Sequence, residues 1–202
     1  MSDFIIGFIT DWGYLGIFLM MVLENIFPPI PSELIMPFAG YVAAQGDLNL
    51  FGVLLAGMAG SLLGTSAWYA AARLMGLDRF TRLSNRLGRI ATLNERDIDM
   101  AHHWFARYGV LAVFVGRLIP AIRTLISVPA GLAGMPLWQF LGISAIGTLL
   151  WTGLLTAAGY MLNAGYHVVE AWIDPVSTAV VVLVVVLYVW RFITWKPIKD
   201  IG

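Results

Sequence analysis

Long apolar runs separated by short polar stretches set the frame of this chain. In residues 2–12, Phe4, Ile5, Phe8 and Trp12 recur at helical spacing between acids, which predicts a short amphipathic helix lying in a membrane interface. From Tyr14 to about Ala43 an apolar run holds Pro28, Pro29, Pro31 and Pro37. Proline lacks the backbone donor and restricts the residue before it, so the run predicts helix, break, helix. Each arm falls short of the roughly 20 residues a bilayer crossing needs, which favours a re-entrant hairpin. Leu50 to about Ala72 reads as an uninterrupted span, with Gly57, Gly60 and Gly64 down one side for close helix packing.

Residues 73–107 are the one long hydrophilic segment, with Asn94 and Asp97 opening a helix whose apolar stripe is Ile98, Ala101, Trp104 and Phe105. Tyr108 to Gly134 is a second proline-broken run, again too short for two crossings. Leu137 to about Leu162 is a span, and Val176 to about Ile193 a last one.

The two broken runs echo one another. Tyr14 with Gly16 opens the first and Tyr108 with Gly109 the second. Pro37-Phe-Ala-Gly40 matches Pro129-Ala-Gly131, and Gly64-Thr65-Ser-Ala-Trp68 matches Gly147-Thr148-Leu-Leu-Trp151. This self-similarity predicts an all-α polytopic membrane protein of inverted repeats, each with a surface amphipathic helix, a re-entrant hairpin and a transmembrane helix. The expected layout is a single membrane domain. Repeat 1 covers about 2–73, a linker with amphipathic helix about 74–107, repeat 2 about 108–162, and a C-terminal transmembrane helix about 176–195.

Composition agrees with a membrane protein: 59% of the 202 residues are hydrophobic and 12% charged, against about a quarter charged in soluble domains. The chain carries no Gly-rich phosphate loop ending in Lys-Ser/Thr, so ATP is not expected as a driver. With no cysteine, thiolate chemistry and Cys-ligated metals are excluded. The N-terminus lacks the basic region and cleavage site of a signal peptide and is expected to be retained. Net charge is zero but uneven, because the first Lys or Arg is Arg73. Arginines at 73, 79, 82, 86, 89, 96 and 107 place the middle segment in the cytoplasm by the positive-inside rule, and Lys196 and Lys199 place the C-terminus there too. The N-terminus is then outside. That topology holds only if both broken runs return to the side they entered.

The candidate chemistry lies in those runs. Glu24 and Glu33 sit in the first, Arg117 and Arg123 in the second, at a depth where an ion costs a few kcal/mol. An acidic hairpin from outside and a basic one from inside would meet near the midplane, and Glu–Arg pairing would offset much of the desolvation. The plain alternative is that the four ions only pin the hairpins together. Against it, ions at broken helices usually mark a substrate or ion path. Arginine's fork suits phosphate oxygens, so Arg117 and Arg123 are the expected phosphate-binding pair, with Glu24 and Glu33 as proton carriers or counter-charges. Pro28, Pro29, Pro31 and Pro120 are the expected hairpin breaks. His102-His103 invites a metal reading, but neighbours on a helix face different ways and no third ligand is near, so no metal site and no cofactor are expected.

Leu23-Glu24-Asn25, Pro29-x-Pro31-Ser32-Glu33, Gly116-Arg117-x-x-Pro120, Arg123-Thr124 and Ala130-Gly131-x-x-Gly134-Met135 together resemble the DedA family, also called SNARE-associated or VTT-domain membrane proteins. The likeness covers about residues 10–165. It implies two re-entrant hairpins in inverted repeats, a bacterial inner-membrane location and lipid movement between leaflets, with undecaprenyl phosphate or phosphatidylethanolamine as substrate and the proton gradient as driver. It implies that the functional carboxylates are Glu24 and Glu33 and the essential arginines Arg117 and Arg123. Many members have Pro-Gly-Asp where this chain has Pro31-Ser32-Glu33, which keeps the acid and lengthens its reach.

The expectation is therefore a non-enzymatic lipid translocase carrying undecaprenyl phosphate from the outer to the inner leaflet, with lipid and protons as partners. No nucleic acid is expected, and the oligomeric state is open, a homo-oligomer included. A phospholipid flippase, a small-ion antiporter and a non-transporting membrane scaffold are the alternatives. An intramembrane hydrolase is disfavoured because His102, His103 and His167 fall at interfaces.

Overall fold

The computed structural model describes residues 2–26, 32–87, 95–120 and 122–161, with isolated positions between 182 and 194. Every regular element among them is a helix: α1 (Ser2–Ile26), α2 (Ser32–Gln45), α3 (Leu50–Leu87), α4 (Glu95–Leu118), α5 (Ser127–Leu132) and α6 (Leu137–Met161). Three stretches are long and apolar enough to cross a membrane, Ile5–Ile26, Leu50–Arg82 and Leu137–Met161. The predicted loop at 163–175 lies outside the described residues, as does most of the last span. Val182, Val186, Val189, Trp190, Phe192, Ile193 and Thr194 within that span are helical.

Two long helices are bent near the places where the sequence predicts a surface helix to meet a hairpin. In α1 the bend is at Gly13 (φ 54°, ψ −127°), a backbone state open to glycine because it has no Cβ. In α4 it is at Tyr108 (φ −125°, ψ 16°). The straight limb 14–26 is then about 20 Å long at 1.5 Å per residue, although Ile5–Ile26 as a whole has the length of a span.

One local expectation, the end of the second span, comes out differently, and two further prolines lie within helices. Helix α3 continues past Ala72 to Leu87, bending at Gly76 (φ 71°, ψ 162°), so the start of the basic segment is helical rather than a loop. Pro37 is carried inside α2 and breaks nothing. Its missing donor leaves one helical hydrogen bond unmade, and the tight packing of α2 on α6 holds the helix across it. Pro129 sits in the first turn of α5, where an amide donor has no helical partner in any case.

The packing is carried by close backbone approach. The first limb of each broken run lies on the long helix that follows it, α1 on α3 and α4 on α6. The second limb crosses to the other long helix, α2 on α6 and α5 on α3. At these seams a Cβ on Gly159 would stand 1.9 Å from the Pro37 carbonyl oxygen, one on Gly40 2.1 Å from that of Thr156, and one on Gly131 2.4 Å from that of Tyr69. Only a residue without a side chain fits there. Two apolar clusters result. One gathers Ile9, Ile17, Met20, Met21, Ile35 and Met36 with Val53. The other gathers Tyr69, Phe105, Val113, Ile126, Ala130 and Phe140.

Candidate functional site

Belonging to neither cluster is a set of buried polar side chains, among them Glu24, Asn25, Ser32, Thr65, Arg117, Arg123, Ser127, Ser144 and Thr148. Such groups are costly in an apolar setting unless they satisfy one another, so their partners define what the site is.

Glu24 lies in the last turn of the straight limb of α1, two residues before its end at Ile26. Its carboxylate accepts a hydrogen bond from the Arg123 guanidinium, closing an ion pair between the two broken runs, both side chains being about 6% exposed. The second carboxylate oxygen accepts from Asn25 Nδ2 at 2.6 Å, and the same amide donates to the Met21 carbonyl at 2.8 Å. The Asn25 carbonyl, left free by the end of the helix, accepts from the Trp68 indole of α3 at 3.0 Å.

Arg117 lies in the last turn of α4, the negative end of the helix dipole, and is 2% exposed. Its donors go to neutral oxygens only: Nε to Ser144 Oγ at 3.1 Å, one terminal nitrogen to the Arg123 carbonyl at 2.8 Å, the other to Ser127 Oγ at 3.3 Å. The guanidinium also rests over the Phe140 ring, 5.3 Å from its centre. Among the described residues no carboxylate pairs with it.

Local backbone explains why a carbonyl is available there. Beyond Leu118 the chain leaves the helix around Pro120, which has no donor to continue it. The Ile119 carbonyl then accepts from both Ile122 and Arg123, and the Ser127 amide turns to Thr124. The Arg123 carbonyl is thereby released from helical pairing and taken by Arg117. The break at 119–126 presents Arg123 twice, its side chain to Glu24 and its backbone to Arg117.

Glu33 occupies the first turn of α2, where a helix dipole favours an acid. It is half-buried and forms no ion pair among the described residues. It does lie close enough for its charge to bear on Glu24. Of the four ions picked out in the sequence, the structure thus joins Glu24 to Arg123 and sets Arg117 beside the pair. Pro120 stands at the second break, while Pro28, Pro29 and Pro31 lie outside the described residues. Among the described residues no three His, Cys, Asp or Glu side chains gather as metal ligands, and His103 is exposed.

Four contributors escaped the sequence reading: Asn25 as a carboxylate support, and Ser127, Ser144 and Phe140 around Arg117. A signal existed for one of them. Ser144, Thr148, Thr152 and Thr156 recur every fourth residue of α6 and are buried, a polar stripe along one face of an apolar span. Thr152 and Thr156 spend their hydroxyls on carbonyls one turn back, which leaves Ser144 to reach Arg117.

A bundle of apolar helices with paired and unpaired ions buried at helix breaks is an integral membrane protein with a built polar centre. The chain belongs to the VTT-domain family, the DedA proteins, whose family model matches residues 30–161. It is similar to an "alkaline phosphatase-like protein" of Lactococcus lactis subsp. cremoris, 38% identical over 94% of this chain and 89% of the relative. It is also similar to two proteins named undecaprenyl phosphate transporter A. The Staphylococcus aureus protein is 33% identical over 94% of each chain, and the Bacillus subtilis protein 30% over 95% of this chain and 93% of its own. No solved structure matches the chain significantly.

Proposed function

We propose that the protein is a lipid translocase of the bacterial inner membrane that moves undecaprenyl phosphate from the outer to the inner leaflet, driven by the proton gradient. The observation that carries this is the buried Arg117, a cation whose hydrogen bonds go to hydroxyl and carbonyl oxygens and which no carboxylate contacts directly among the described residues, the nearby Glu24 being taken by Arg123. A buried arginine outside any direct ion pair is a poised anion site, and its planar fork matches two phosphate oxygens. Ser127 and Ser144, which accept from the guanidinium, can turn their hydroxyl protons to the same phosphate. The names of the Staphylococcus and Bacillus relatives support the lipid.

The Glu24–Arg123 pair supplies the exchange. A proton entering from outside adds to the Glu24 carboxylate and removes its charge, so the Arg123 guanidinium is released to join Arg117 on the phosphate. Loss of that proton to the inside restores the pair and lets the phosphate go. Glu33, at the head of α2, is the carboxylate we assign to passing the proton to Glu24. The crossed packing of short limbs on long helices supports two re-entrant hairpins in inverted repeats. The positive-inside rule supports an external N-terminus and a cytoplasmic C-terminus, and the domain layout expected from the sequence is kept.

Reconstitution into liposomes with labelled undecaprenyl phosphate tests the reading. Wild type is expected to move the lipid, Arg117→Ala and Arg123→Ala to reduce the rate about a hundredfold or more, and Glu24→Gln to uncouple it from an imposed pH gradient. A wild-type protein that leaves the lipid in place would end it. Phosphatidylethanolamine in the same vesicles distinguishes the phospholipid alternative. A small-ion antiporter would instead move ions without lipid, and for a scaffold the Arg117→Ala variant would keep full function in cells.

A further inference from the structure

A cleft in the described structure lies away from the ion pair. It is a groove of about 620 Å³ at the bend of α4, where Phe105, Arg107, Tyr108, Leu111 and Phe114 face Gln139 of α6 and the loop before it. A volume in this range suits a headgroup with the start of its chain. Three features say what would occupy it.

The first is charge. Arg107 is exposed, its guanidinium lies 5.5 Å over the Tyr108 ring, and no acid is among the described lining residues. The second is continuity with the apolar surface. Val110 and Leu111, about half exposed in the groove wall, lead along α4 to exposed Val115, so a tail leaving the groove stays on a hydrocarbon-facing surface. The third is the contrast with the matching bend of α1. There the Tyr14 ring packs against Gly52, a Cβ on which would stand 2.5 Å from it, and its hydroxyl accepts from the Asn49 amide at 2.7 Å. The residue before that bend is Trp12, preceded by the exposed acid Asp11. At one bend the tyrosine is held against α3 beside an acid; at the other a groove opens beside an arginine.

We infer that the α4 groove is a second lipid site, a docking station at the interface for an anionic lipid bearing a phosphate, with Arg107 as its headgroup contact. Its assignment to the leaflet where cargo leaves rests on the transport reading above and on the arginine-rich side being cytoplasmic; the binding itself does not.

The test is photo-cross-linking of the full-length protein in phosphatidylcholine vesicles, using a long-chain alkyl phosphate with a diazirine near the head and the alcohol of the same tail. The phosphate probe is expected to label residues 105–114 and 133–139 about tenfold more than the alcohol does, as one charge-assisted contact allows. Arg107→Gln should remove most of that difference and Arg107→Lys should retain much of it; both substitutions are at an exposed position and leave folding intact. Equal labelling by the two probes, or an unchanged ratio in Arg107→Gln, would overturn the site. Selective labelling in vesicles where no lipid crosses would keep the site and defeat the transport reading. Transport without selective labelling would do the opposite.

Discussion

The two broken runs use one plan with opposite charges, and they differ most in how the second limb is built. After the first break the chain forms a full helix, α2, which holds Glu33 at its start and accommodates Pro37. After the second it makes an irregular turn over 119–126 and then only the short α5. The helical limb leaves few backbone groups unpaired. The irregular one releases the Arg123 carbonyl to Arg117, and that contact is what allows a second arginine to be buried next to the first. The acidic side thus offers a counter-charge on regular helices, and the basic side folds an irregular backbone around two arginines.

Substitutions at matched positions sharpen that contrast. The largest effect is expected from breaking the ion pair: Glu24→Ala leaves Arg123 buried and unpaired and should cost about 3–5 kcal/mol, whereas Glu33→Ala, which breaks no pair, should cost less than about 1 kcal/mol. Unfolding in mixed micelles measures both. The double change Glu24→Gln with Arg123→Met should recover much of the stability and none of the transport. Equal costs for the two glutamates would remove the distinction between them.

Next come the seams. Gly159→Leu between α6 and α2 and Gly131→Leu between α5 and α3 should each cost about 3 kcal/mol or more, since the obstacle is backbone rather than a movable side chain. Tolerance of either change in the same unfolding measurement would break the correspondence between the crossed limbs.

Tyr14→Ala should cost about 2 kcal/mol through lost packing and an abandoned Asn49 amide. It should also open at α1 a cleft like that at α4, seen as new labelling by the uncharged alcohol probe but not by the phosphate, because Asp11 stands there instead of an arginine.

The smallest effect separates two tryptophans at echoing positions. The Trp68 indole holds the end of α1, while the Trp151 Nε1 is buried with no partner among the described residues. Trp68→Phe should therefore cost about 1 kcal/mol more than Trp151→Phe, for one hydrogen bond lost against none. A reversed order would mean that the indole contact at Asn25 contributes little to holding the limb.

The sequence made the long helices legible because hydrocarbon thickness and helical rise together demand runs of a certain length, and because a backbone in lipid has few alternatives to helix. Proline marked the second break, at Pro120, by removing a donor. Glu24, Arg117 and Arg123 stood out because ions are rare in such runs. Pro37 sits inside α2 without breaking it, since the cost of one missing hydrogen bond is small beside the packing of α2 against Gly159. The reach of α3 to Leu87 was hidden because helix propensity continues into a polar stretch after hydropathy has fallen.

Which acid meets which arginine was decided only by the fold. Glu24 and Arg123 are 99 residues apart, and periodicity within a helix says nothing about contacts at that separation. The same holds for Ser144 on Arg117 and for the filled bend at Tyr14 against the open one at Tyr108. Local sequence determines where a helix stops and where a charge must be buried. Only the crossing of limbs over the opposite long helix, permitted by glycines at the seams, determines which buried charges pair and which one stays outside a direct ion pair.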